Sequence, residues 1–198
     1  MLFRNSEESF PRVPYLKMDN KMIAETMKGY TQWPRPWIGI GWKGGYQKTR
    51  KDLRSLPLEN WLPILKAGRG TFFSFQYDIG ADQEVEEFCK RHPDVPLHHF
   101  PSVVRADNYD IVLHHLRCMD LVLHVNGSAV HACGALGTPC YTLTPSRPAW
   151  RYGVEGEDMP FYGENVKQIR QKGDDWESLI KAVAKKVHNE DFPKRLEI

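Results

Sequence analysis

The segment Leu121-Val122-Leu123-His124-Val125 constrains the fold more than any other stretch of the chain. It carries apolar residues on both faces, a pattern that a strand shows when both sides of its sheet are covered. Asn126-Gly127 follows at once, then a helix-period run from Ser128 to Leu136 that stops at Gly137. A buried strand, a short turn and a helix form the unit from which parallel sheets are assembled. The alternation recurs along the chain. Trp37 to Gly41, Thr71 to Phe75, Val95 to Phe100, Pro139 to Leu143 and Val166 to Arg170 read as further strands. Leu58 to Lys66, the run through Val85, Phe88 and Cys89, Asn108 to Cys118, and the stripe Trp176, Leu179, Ile180, Val183 and Val187 read as helices. Asp19 is expected to cap an earlier helix that stops at Gly29, Asp82 to cap the helix through Val85, and Asp174 or Asp175 to cap the last. The expected class is therefore α/β, a Rossmann-like open parallel sheet with helices on both faces. Residues 1–18, broken by Pro11 and Pro14, read as an arm or linker, 19–188 as the domain and 189–198 as a polar tail. Residues 144–165 read as one long loop rich in Pro, Gly and aromatics.

A chain of 198 residues buries a sizeable core without disulfides or metals. With 27 basic against 25 acidic side chains, its balance argues against a nucleic-acid partner, which calls for a clear basic excess. The apolar runs are far shorter than the ~20 residues that span a bilayer, and Met1 to Asn5 show no apolar signal core, so a cytoplasmic protein without a transmembrane segment is expected. Cys89, Cys118, Cys133 and Cys140 contain no Cys-x-x-Cys pair and read as reduced thiols.

Ligands of open parallel sheets bind beyond the carboxyl ends of the strands, which directs attention to four loops. Gly39-Ile40-Gly41-Trp42-Lys43-Gly44 fits the dinucleotide pattern, but Gly45 to Lys51 is a basic loop with no apolar periodicity, where that fingerprint needs a helix to open. The same loop, with Lys43, Lys48, Arg50, Lys51 and Arg54, suits a diphosphate through charge-assisted hydrogen bonds, and reads equally well as solvated surface. Between the buried strand and its helix, Asn126, Gly127, Ser128, Ala129, Val130 and His131 place small residues and free N–H groups where a phosphate is favoured. His131 by itself reads more readily as a helix residue packed on the sheet. Thr144 to Arg151, with Arg147 and Arg151, follows the next strand, and Gln76 follows the Phe75 strand end, as a base- or ribose-bonding amide or a turn residue. The adjacent pairs His98-His99 and His114-His115 point in different directions on any regular element, so no metal site is expected.

The run Asn126-Gly127-Ser128-Ala129-Val130-His131-Ala132-Cys133-Gly134-Ala135-Leu136-Gly137-Thr138-Pro139 resembles the signature of the heptosyltransferase-like glycosyltransferases, Asp-[Ser/Thr]-x-x-x-His-Leu-Ala-Gly-Ala-Leu-Gly-x-Pro. It is more similar still to the glycosyltransferase region at the end of many bacterial tetratricopeptide proteins. Pro14-Tyr15-Leu16, Arg54-Ser55-Leu56-Pro57-Leu58, Phe73-Ser74-Phe75-Gln76, Trp150-Arg151-Tyr152 and Met159-Pro160-Phe161-Tyr162 continue the resemblance in order, over residues 14–188.

The resemblance implies a single half of a GT-B architecture, two Rossmann-like halves facing across a cleft. The C-terminal half binds a nucleotide sugar as substrate, with no further cofactor and no divalent metal, and transfer inverts the anomeric centre. Carried onto this chain, Lys43, Arg54, Gln76, Asn126, Gly127, Ser128, Ala129, Val130, His131, Thr144 and Arg151 are the expected donor and phosphate contacts. Two departures bear on catalysis. The acceptor half, which usually supplies the base, is not in this sequence, and Asn126 stands where the family has Asp. No catalytic residue is assigned. The partner is expected to be an acceptor-domain polypeptide or a second copy, and the alternative reading is a non-catalytic nucleotide-binding or assembly module.

Overall fold

The computed structural model describes residues 6, 9–45 and 47–197; the first five residues, on which the expectation about a signal peptide rests, lie outside them. In chain order the elements are α1 (Asn20–Tyr30), β1 (Trp37–Gly41), α2 (Leu62–Ala67), β2 (Thr71–Ser74), α3 (Ala81–Arg91), β3 (Leu97–His99), α4 (Pro101–Val104), α5 (Tyr109–Cys118), β4 (Leu121–Val125), α6 (Ser128–Leu136), β5 (Cys140–Thr144), β6 (Val166–Arg170) and α7 (Trp176–His188). Single 3-10 turns at Gln47–Thr49, Lys51–Arg54 and Leu58–Trp61 carry the chain from β1 to α2, and another lies at Trp150–Tyr152.

All six strands are parallel, in the order β3-β2-β1-β4-β5-β6. The chain winds outward from β1 to β3, returns to the middle and winds outward again from β4 to β6. Its direction of growth therefore reverses between β1 and β4, where Ile38 pairs Leu121 and Gly41 pairs His124. β1, β4 and β5 are buried along their whole length, as the doubly apolar pattern of Leu121–Val125 requires. One core layer holds Ile38, Ile40, Leu121, Leu123 and Val125 against α2, α3 and α7. The other holds Trp37, Phe73, Val122 and Cys140 against α1, α5 and α6. The result is the expected three-layer α/β sheet, one Rossmann-like half.

Local chemistry sets the element ends. Asp19 accepts from Lys21 N at 2.8 Å, Asn108 from Asp110 N at 2.9 Å and Asp175 from Ser178 N at 2.9 Å, capping α1, α5 and α7. α6 ends on Gly137, at φ 76°, with Pro14 and Leu196 packed against it. Three elements differ from their sequence patterns. The helix expected from Leu58 opens as a 3-10 turn, because Pro63 has no N–H to give to the Glu59 carbonyl. Asp82 lies inside the first turn of α3, with Gly80 at the cap, since its carboxylate is held by His99 Nε2 at 2.8 Å and Arg105 Nη1 at 2.7 Å. α1 runs one residue past Gly29 to Tyr30, whose ring packs against Trp37 and Phe73.

Gly39 and Gly41 do not open a dinucleotide-type helix. They make room for neighbours: a Cβ at Gly39 would stand 2.8 Å from the Phe75 ring, and one at Gly41 2.2 Å from the His124 ring. Both walls are packed, so relief requires moving a central strand. Gly41→Ala is expected to lower the unfolding free energy by about 2 kcal/mol or more, read from the urea midpoint; an unchanged midpoint would contradict this packing.

Candidate functional site

The reversal between β1 and β4 leaves a crevice at the carboxyl ends of the two strands. The loops after β1 and β4 are in direct contact there, since a Cβ at Gly44 would lie 2.8 Å from the Asn126 carbonyl. The loop after β5 closes the other side. The resulting cleft has a volume of about 390 Å³. Lys48, Arg50, Arg54, Arg147 and Arg151 line it together with Asn126, and none of its lining residues is Asp or Glu. Five cations without a carboxylate make it strongly electropositive.

Each side chain owes its place to a specific contact. Arg54 is buried and donates from Nε to the Gly44 carbonyl at 3.1 Å, which ties its guanidinium to the β1 loop. Arg151 lies with its guanidinium 5.4 Å from the centre of the Tyr152 ring. Asn126 is 1% exposed. Its Oδ1 accepts from Thr142 Oγ1 at 2.8 Å and Thr144 Oγ1 at 3.0 Å, and its buried Nδ2 has no hydrogen-bond partner among the described residues. Gly127 precedes α6, and no side chain caps that helix. Its first-turn N–H groups and positive dipole end therefore remain open to an anion. Ser128 opens the helix and is exposed. Ala129 and Val130 are buried against the sheet.

His131 is held by two phenols that the sequence did not advertise. Its Nδ1 lies 3.1 Å from Tyr162 Oη and its Nε2 3.3 Å from Tyr152 Oη. A Cβ on Gly134 would stand 2.3 Å from the Tyr162 ring, so this glycine lets the ring lie on α6. Burial, then the nearby Arg151 charge, holds the His131 imidazole below its ordinary value. Burial raises the Tyr152 phenol, which Arg151 partly offsets.

Other expected contacts lie elsewhere. Gln76 is buried, and its Oε1 accepts from Trp42 N at 3.0 Å and Lys43 N at 2.9 Å while its Nε2 donates to the Lys43 carbonyl at 3.2 Å. That amide shapes the β1 loop. Lys43 is ion-paired with Glu84, which also accepts from Trp42 Nε1 at 2.9 Å and Leu58 N at 3.0 Å. Lys43 and Gln76 line a neighbouring hollow of about 460 Å³ with Lys51, Tyr77, Asp78 and Ile79. Thr144 is fully buried and orients Asn126 without reaching the cleft surface. The described residues contain no group of three or more His, Cys, Asp or Glu placed to hold a metal ion, and no described helix is long and apolar enough to cross a membrane.

The fold is that of one half of a GT-B glycosyltransferase. The chain superposes on Escherichia coli heptosyltransferase WaaC with ADP at a TM-score of 0.61 and 14% identity, over 90% of this chain and 51% of that one. It superposes on WaaC with ADP-2-deoxy-2-fluoro heptose at 0.57 and 15% identity, over 90% of this chain and 50% of that one. A family 9 glycosyl transferase from Veillonella parvula gives 0.57 at 12% identity, over 86% of this chain and 46% of that one. In sequence, the chain is similar to Protein FlbA of Caulobacter vibrioides, 25% identical over 183 residues, which is 91% of this chain. It spans 30% of FlbA's length. No protein-family model matches the chain.

Beneath the cleft, His124 sets a pH limit. Its Nδ1 donates to the Val125 carbonyl at 2.5 Å, and burial, the largest cause, pushes its pKa down to about 4. His115, half-buried beside Tyr30, is also lowered to about 4, mainly by its burial. A depressed imidazole takes up its proton more readily in the unfolded chain, so stability is full above about pH 6.5 and falls on acidification towards 4. The loss for His124 is about 3 kcal/mol. Denaturation curves at pH 7.5, 5.5 and 4.5 should show this decline, with the His124 imidazole still neutral by NMR at pH 5; titration near 6.5 would contradict its burial.

Proposed function

We propose that the chain is the donor-binding half of a glycosyltransferase and that its cleft receives the diphosphate of a nucleotide sugar. The observation that carries the reading is the convergence of Arg54 and Arg151 on a cleft lined by Asn126, two residues before the uncapped start of α6, at the point where the sheet reverses. Such a crevice is where open α/β sheets take their ligands, and a helix start flanked by guanidiniums binds phosphate well. The Asn126 amide adds a donor, because the two threonine hydroxyls fix its oxygen and leave its N–H groups for an acceptor. WaaC, whose fold matches, is described with ADP and with an ADP-sugar analogue.

In this reading, positive charge from the protein takes the place of a divalent metal in neutralising the departing diphosphate. Inversion at the anomeric carbon follows from the resemblance to heptosyltransferase-like enzymes, with the acceptor hydroxyl deprotonated by a group outside this cleft. The same cleft motivates a second reading, a nucleotide-binding or assembly module without transfer. None of its lining residues is a carboxylate, and both His131 nitrogens face phenols, so the cleft lacks an obvious base.

Calorimetric titration with ADP, UDP and GDP, first without metal and then with magnesium, tests the proposal. One of the three should bind without metal. Arg54→Ala and Arg151→Ala should each weaken it about tenfold, equivalent to about 1.4 kcal/mol, while Lys43→Ala should leave it nearly unchanged. Failure of the folded chain to bind any of them would remove the proposal. Binding that is unaffected by either arginine would place the nucleotide elsewhere.

A further inference from the structure

The cleft holds more positive charge than a diphosphate uses. Arg54 is tied to the Gly44 carbonyl of the β1 loop, and Arg151 lies near the Tyr152 ring. Lys48, Arg50 and Arg147 remain, all three exposed and without an ion pair among the described residues. Arg50 stands at φ 58°, ψ 50°, the left-handed region that non-glycine residues rarely occupy. Three like charges gathered at one rim repel one another, and an anion there relieves that repulsion.

Arg147 also borders a second hollow, of about 310 Å³, together with Asp52, Ser146, Gln171, Asp174 and Trp176. The chemistry changes across Arg147, from cations alone to carboxylates, an amide, a hydroxyl and an indole. Carboxylates and amides bond sugar hydroxyls, and an indole face packs against the C–H face of a pyranose. The hollow is built, since Ser146 N donates to Gln171 Oε1 at 3.1 Å and Gln171 N to the Thr144 carbonyl at 2.8 Å.

We infer that Lys48, Arg50 and Arg147 form an anion subsite separate from the diphosphate position, and that the sugar lying against the Asp52–Trp176 hollow carries an acidic group of its own, a carboxylate or a phosphate. The inference rests on the donor-domain reading and adds the charge of the carbohydrate. That sugar is either the transferred unit or the acceptor.

The test works whichever base the nucleotide carries. Inorganic pyrophosphate is titrated first. α-D-Glucose 1-phosphate is then compared with α-D-glucuronic acid 1-phosphate, which differs by one carboxylate. If the transferred sugar is acidic, the glucuronic compound binds at least tenfold tighter. Arg50→Ala and Arg147→Ala then abolish that difference without weakening glucose 1-phosphate, whereas Arg54→Ala weakens both compounds. If the acceptor is acidic, the 1-phosphates bind alike, but methyl β-D-glucuronide binds the pyrophosphate-loaded chain more tightly than methyl β-D-glucoside does, again through Arg50 and Arg147. Pyrophosphate binding with no preference for the acidic partner in either pair overturns the anion subsite and leaves the donor domain standing. No binding of pyrophosphate overturns both.

Discussion

The parallel pairing of β1 with β4 is the constraint on which the rest of this molecule depends. It sets Gly41 beside His124 and brings the loops after both strands into contact. The fit leaves no space for a side chain at Gly41, and a Cβ at Gly127 would also meet the His124 ring, at 2.9 Å. A neutral imidazole thus fills the gap between two strand ends and a helix start. The crevice above is shaped from below by close packing, and the cations around it stand on a floor that cannot shift easily.

Electrostatics then divides the loops. Glu84 and Gln76 hold the first part of the β1 loop, through Trp42, Lys43 and Leu58. The part beyond it, residues 47–54, carries Lys48, Arg50 and Arg54 to the cleft, while the β5 loop brings Arg147 and Arg151 from the other side. Asn126 sits between them with its oxygen fixed by two threonines. An aspartate in its place would accept the same two hydrogen bonds but would turn a second negative oxygen, in place of the amide donor, towards any phosphate. Asn126, where the signature that the run resembles has Asp, therefore favours an anion over a cation and is no candidate base.

Much of the fold was legible because its signals are local. The doubly apolar Leu121–Val125 strand, the Ser128–Leu136 helix closed by Gly137, and the Asp19 and Asp175 caps each depend on neighbours within a few residues. The site was legible only in part. That Arg54, Asn126 and Arg151 converge follows from strand order, which periodicity alone does not encode. The partners that Lys43 and Gln76 keep within the fold were not legible, because Glu84, which pairs with Lys43 from α3, is 41 residues away and Gln76 accepts from Lys43 N across 33 residues. The phenols that hold His131 come from 21 and 31 residues downstream, in a loop with no periodic pattern. Asp82 looked like a cap because its true partners, His99 and Arg105, lie on later elements.

The central claim is that the start of α6 is an anion site. The most direct test is an amide NMR titration of the labelled chain with inorganic pyrophosphate. The account expects the backbone signals of Gly127, Ser128 and Ala129 to shift first and most, with the side-chain signals of Arg54 and Arg151 following the same curve. Saturable shifts confined to another surface, such as the Arg35–Arg117 crevice beside Asp120 at the start of β4, with the α6 amides unmoved, would contradict it.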